Sequence, residues 1–269
     1  MDIKNKIVAI TGAGNGIGEA VARELARRGA KLALSDINLD ALKPVADELG
    51  ALAVQCDATD EDSIKEFITQ AETLGEVDLF FSNAGFGLGE PTHAASADNS
   101  VWEKNWQLHV MAHVYASRVL LPKMITRKSG YLVNVASAAG LLSQIGDAAY
   151  SATKHAAVSF AESLEINHRD DGIKVSVICP QYVNTNILML NEDERAGDLP
   201  GVITPAQCAN TIADGIEAET FLILPHPEVQ KYSEKRVTDR NSWLDTMRKF
   251  RRTLLDESGH VDFRRIFRL

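Results

Sequence analysis

Thr11-Gly12-Ala13-Gly14-Asn15-Gly16-Ile17-Gly18 stands between the β-branched run Ile7-Val8-Ala9-Ile10 and a helix-patterned stretch over 19–28. Glycine here removes the Cβ that would keep a pyrophosphate away from the backbone. Exposed N–H groups and the dipole of the helix that follows favour an anion at the same place. The strict G-x-G-x-x-G spacing fails because residue 17 is Ile, whereas T-G-x-x-x-G-x-G is met with a strand before and a helix after. A bare glycine-rich turn is the competing reading, but it requires neither neighbour. Phosphate contacts are expected from Gly12, Asn15, Gly16, Ile17 and Gly18.

The same alternation continues outward. Apolar runs at 31–34, 51–54, 77–81, 131–135, 174–178 and 221–224 are separated by helical stretches, giving seven candidate strands. They are continuous rather than alternating, as parallel strands buried on both faces are, and the intervals admit right-handed crossovers. The class is α/β, a doubly wound parallel sheet with helices on both faces. No linker, repeat or low-complexity tract breaks the series up to Pro225, so one domain over 1–225 is expected.

Two segments fall outside the alternation. Residues 186–201 carry Ile187-Leu188-Met189-Leu190 and then Glu192-Asp193-Glu194, a pattern of a flap rather than a crossover. Residues 227–269 hold 11 Lys/Arg against 7 Asp/Glu, a net +4 in a chain of net charge −9. Trp243, Met247, Phe250 and Leu254 form one stripe of an amphipathic helix there. A C-terminal helical extension over 226–269, packed on the body or on a neighbouring subunit, is expected.

Composition narrows the classes. The 269 residues are 45% hydrophobic and 24% charged, which disfavours disorder and allows a sizeable core. Cys56, Cys179 and Cys208 are odd in number and lack C-x-x-C spacing, so neither a disulfide framework nor a zinc-thiolate site is expected. The polar residues 1–5 lead into a strand and no run of about 18 apolar residues occurs, so a cytoplasmic protein with no membrane partner is expected. The acidic balance disfavours nucleic acid.

Chemistry gathers after the strands. Asp36, eighteen positions past Gly18, ends the second strand, where a carboxylate can bind an adenosine ribose and repel a 2′-phosphate. It is followed by Ile37 and Asn38, with no cation beside it, which points to NAD over NADP; a turn residue or helix cap is the plainer alternative. Asp57 with Ala58, and Asn83-Ala84-Gly85, lie likewise at carboxyl ends of strands. Ser137 follows the fifth strand, and Tyr150 and Lys154 share one face of a helix. A phenol beside an ammonium can act as a base toward an alcohol.

In this order the motifs resemble the short-chain dehydrogenase/reductase family over about residues 5–225. The resemblance implies a single Rossmann-type domain and metal-free hydride transfer between a nicotinamide and a carbinol carbon. Tyr150 would be the acid/base, Lys154 its partner and a ribose ligand, and Ser137 the substrate-oxygen orienter. Pro180, Val183 and Thr185 would lie against the nicotinamide. Phe86, Leu88, Leu142, Gln144, Tyr182, Leu188 and Met189 would border an apolar pocket for a cyclic or aromatic alcohol or ketone; ordinary core or subunit contacts are the other reading for each. A homodimer or homotetramer is implied.

The departures from the family are specific. His109 stands where most members have an Asn that anchors a water behind the Lys, so His109 is expected either to relay protons or to fill space. With His113 it mimics a metal pair, but no third ligand is evident. Gln181 replaces the loop glycine, and Leu224-Pro225-His226-Pro227 replaces the usual Val-Asp-Gly-Gly ending. A non-catalytic NAD-sensing or scaffold protein is the alternative function; the intact Ser137, Tyr150 and Lys154 count against it.

Overall fold

Why the chain alternates is visible in its strands, whose successive residues feed two different cores. The structure, a computed structural model, describes residues 1–90, 92–188, 199–262 and 265–266. Strands β1 (Ile7–Thr11), β2 (Lys31–Asp36), β3 (Leu52–Gln55), β4 (Leu79–Ser82), β5 (Gly130–Val135) and β6 (Ile173–Ile178) join β9 (Leu222–Ile223) in one sheet. Its order is β3-β2-β1-β4-β5-β6-β9, with every pairing parallel. Ile7 and Ala9 point into a core with α3 (Glu61–Ala71), α5 (Ala112–Arg127) and α7 (Ala148–His168). Val8 and Ile10 point the other way, toward α1 (Gly16–Arg27), α2 (Leu39–Leu49) and α8 (Pro205–Glu217). The period-two alternation of a strand thus fills both faces.

The strand order reverses between β1 and β4, and the loops leaving their carboxyl ends diverge into a crevice. Asp36 closes β2, one position beyond which the sheet pairing stops. Helix starts are capped locally: Asn38 accepts from Ala41 N–H for α2, and Thr204 and Gln207 form a capping box at α8 with Pro205 at its first position. The predicted run 77–81 is shifted, its first two residues preceding β4, and the last strand contributes only two residues.

The basic C-terminal segment forms α9 (Glu228–Thr238) and α10 (Arg240–Thr253). Trp243 and Leu254 are buried. Met247 and Phe250 face the short helix α6 (Ala139–Leu142) across a cavity, and Arg236 donates to His155 Nε2 on α7. The apolar stripe therefore faces the body. Flanking the 186–201 segment, Tyr182–Val183 (β7) pairs in parallel with Val202–Ile203 (β8); Met189, Leu190 and the acidic residues 192–194 lie outside the described residues. Among the described residues no helix is long and apolar enough to cross a membrane.

Candidate active site

The glycine loop meets α1 without a side-chain cap. Asn15 precedes the helix in extended conformation and its side chain makes no capping bond, so the first-turn N–H groups are left to the cleft. Gly16 holds φ +61°, a left-handed conformation that L side chains rarely adopt, and a Cβ on Gly18 would lie 2.1 Å from Gly12 O. Asn83 fixes the facing loop, its amide donating to Thr11 O and Gly12 O at 3.0 Å each. Asp36 stands at the side, accepting from Gly14 N–H at 3.0 Å and Asn38 N–H at 2.9 Å. These are donors for phosphate and an acceptor for a ribose, so the residues present fit a dinucleotide.

The structure brings Gly12, Asn15, Gly16, Ile17, Asp36, Asp57, Ala58, Asn83, Ala84, Gly85, Pro180, Val183 and Thr185 onto one cleft of about 680 Å³. Gly18 does not line it; its part is to let the helix approach the loop. Ser137, Tyr150 and Lys154 lie in the same cleft. Asp147 and Glu90 latch the start of α7 to the loop after β4: Asp147 accepts from Tyr150 N–H and Gly89 N–H, and Glu90 accepts from Ala148 N–H.

At the inner end Ser137 and Tyr150 border the same cleft and the same adjoining cavity, and Ser137 Oγ accepts from Ala139 N–H at 3.1 Å. Lys154 Nζ donates to Val135 O at 2.9 Å and sits 5.5 Å from the centre of the Tyr150 ring. Burial pushes Tyr150 up to about 12, with the nearby Ser137 hydroxyl opposing it, and pushes Lys154 down to about 7. The expected lowering of the phenol by the ammonium is therefore outweighed here by desolvation, which acts on both groups against their charged forms.

His109 is held at both of its ring nitrogens. Its Nε2 accepts from Phe86 N–H at 3.2 Å, and its Nδ1 faces Thr153 Oγ1 at 3.3 Å. Because the Thr153 hydroxyl donates to main-chain carbonyls of α7, Nδ1–H is the donor and both ring nitrogens are used by protein. Burial and the Lys154 charge hold the imidazole well below its ordinary pKa. The ring packs edge-on against Tyr150 and beside Phe86. This geometry supports a packing and hydrogen-bonding role for the ring, the second of the two expected readings. A widened π-helical stretch, Gln107–Met111, carries it between α4 (Asn99–Trp106) and α5. His113 points elsewhere, its Nδ1 2.7 Å from Ser82 Oγ.

A cavity of about 320 Å³ opens beside Ser137 and Tyr150, bordered by Leu88, Gln144, Tyr182 and Leu188. Phe86 lines the main cleft, whereas Leu142 belongs to a neighbouring cavity and so leaves the expected pocket. Sequence reasoning did not single out Gln181 as a pocket wall, nor Val261, Asp262 and Ile266, which return from the C-terminus to line it. Only the tertiary path of the tail places them. His226 was missed as well. It accepts from Gln181 N–H through Nδ1 and reaches Tyr182 O through Nε2, clamping the loop that carries both.

Residues 6–196 match the family model described as short chain dehydrogenase. The chain is 35% identical to a meso-2,3-butanediol dehydrogenase of Serratia marcescens, over 70% of this chain and 75% of that protein. It is 34% identical to a CLA biosynthesis dehydrogenase/reductase of Lactiplantibacillus plantarum, over 88% and 93%. A crystal structure of a short chain dehydrogenase/reductase from Burkholderia phymatum in complex with NAD superimposes with a TM-score of 0.80 at 30% identity, covering 90% of this chain and 96% of that one.

Proposed function

Because this chain belongs to the short-chain dehydrogenase family, we propose that it binds NAD and moves a hydride between NAD and the carbinol carbon of a hydrophobic secondary alcohol. The observation that carries the reading is that Ser137, Tyr150 and Lys154 converge on one cleft, with Lys154 Nζ 5.5 Å from the centre of the Tyr150 ring, where that cleft adjoins a further cavity bordered by Ser137 and Tyr150. Asp36 supports NAD: its fixed carboxylate faces the cleft, and Ile37 and Asn38 offer no cation to a 2′-phosphate. The similarity to a meso-2,3-butanediol dehydrogenase, and the structural neighbour in complex with NAD, agree with this direction.

In oxidation the substrate hydroxyl enters between Ser137 Oγ and the Tyr150 phenol oxygen. Ser137 orients that oxygen, and Tyr150 as phenolate takes the proton as the carbinol C–H bond gives up its hydride. The nicotinamide supplies the hydride acceptor, and its positive charge favours the phenolate. Lys154, held by Val135 O, stabilises the phenolate and presents its ammonium to the ribose side of the cleft. Reduction runs the same path backward, with Tyr150 as acid.

The test is NADH formation over a panel of linear, cyclic and aromatic secondary alcohols. The reading expects turnover, with kcat/KM for NAD at least about tenfold above that for NADP, since ~1.4 kcal/mol of repulsion suffices. Cofactor binding without turnover across the panel would instead favour an NAD-sensing protein.

A further inference from the structure

Gln181 borders three spaces at once: the main cleft, the cavity beside Tyr150, and a further cavity of about 530 Å³ beneath the C-terminal helices. The second and third share Gln144, Gln181, Tyr182 and Ile266, so they adjoin across these side chains. The further cavity is apolar where α6 meets the tail, with Leu142 and Ile145 on one wall and Trp243, Met247 and Phe250 on the other. Its described lining contains no carboxylate and two charged side chains, Lys231 and Lys235, exposed at the rim and one turn apart on α9. Neither ammonium has a hydrogen-bond or ion-pair partner among the described residues.

Ordinary helix packing does not produce this arrangement. Trp243 is buried, yet the stripe it begins leaves a space of ligand size against α6 rather than closing on it. Unpaired cations at the edge of an apolar chamber, in a molecule whose net charge is −9, have the polarity that suits an amphipathic anion. We propose that this cavity is a second substrate subsite, which takes the apolar chain of an elongated substrate and pairs its terminal carboxylate with Lys231 and Lys235 while the reacting carbon lies at Tyr150. The reacting end of this proposal rests on the dehydrogenase reading; the subsite itself does not.

The experiment is calorimetric titration of straight-chain carboxylates, octanoate to dodecanoate, into the NAD-loaded protein. One equivalent is expected to bind, tightening about threefold to fourfold with each methylene as apolar surface leaves water. The K231E/K235E double variant changes exposed residues and is expected to bind dodecanoate at least tenfold more weakly, with methyl dodecanoate unaffected. Affinity independent of chain length, or an unaltered dodecanoate affinity in the double variant, overturns the subsite. So does exclusion of dodecanoate by a second copy of the chain seated in the cavity. A parent protein that binds dodecanoate but forms no NADH from any secondary alcohol contradicts the dehydrogenase reading and leaves the subsite standing; turnover without dodecanoate binding does the reverse.

Discussion

His109 and Lys154 show how one residue can carry a chemical type without the chemistry its type suggests. Imidazole usually titrates near neutrality, yet both nitrogens of His109 are committed, to Phe86 N–H and Thr153 Oγ1, and burial keeps the ring neutral. His109→Asn should therefore leave the pH profile of kcat/KM superimposed on the parent's, whereas His109→Ala should cost about 1–3 kcal/mol of stability by stranding the Phe86 N–H. A lost acidic limb in the Asn variant would show that His109 titrates after all. For Lys154 the folded pKa of about 7 lies below the unfolded value of roughly 10.4, so between these the unfolded chain binds the extra proton and stability rises with pH. Measured by denaturant unfolding, the parent should gain about 1.4 kcal/mol per pH unit relative to Lys154→Met over that window. A flat difference would mean that Lys154 stays charged in the fold.

Elements were legible where a local rule governs them. The glycine loop, the strand before it and α1 after it could be read from 7–28 because close backbone approach and helix-start chemistry are local requirements. Gly18 makes this testable: Gly18→Ala puts a Cβ on Gly12 O, so α1 must shift from the loop. NAD affinity should fall at least about tenfold while the far-ultraviolet circular dichroism keeps its helical signature; unchanged affinity would place the phosphates elsewhere. What was not legible depends on distant partners. Nothing in Asp147 or His226 announces that one latches Gly89 to the catalytic helix or that the other clamps Gln181, because each bond joins segments at least 45 residues apart. The same holds for Asp78, just before β4, whose carboxylate accepts from Lys6 Nζ and Ile7 N–H more than 70 residues away.

For the whole molecule, the strand order puts the cleft at the reversal between β1 and β4, and this is why residues from six separate loops converge there. The parallel, doubly wound class was within reach of the sequence; the return of Val261, Asp262 and Ile266 to the catalytic cavity was not, because no periodicity encodes where a tail ends up. Fold and cofactor cleft are thus set largely by local pattern, and substrate space by tertiary assembly. The account turns on Tyr150 as the proton-transferring oxygen in a cleft that binds NAD independently of it. The most direct measurement is NADH formation by Tyr150→Phe, together with its NAD affinity, on a secondary alcohol that the parent oxidises. The account predicts turnover reduced at least ~100-fold with NAD affinity within about threefold of the parent's. Near-parental turnover in that variant would contradict it.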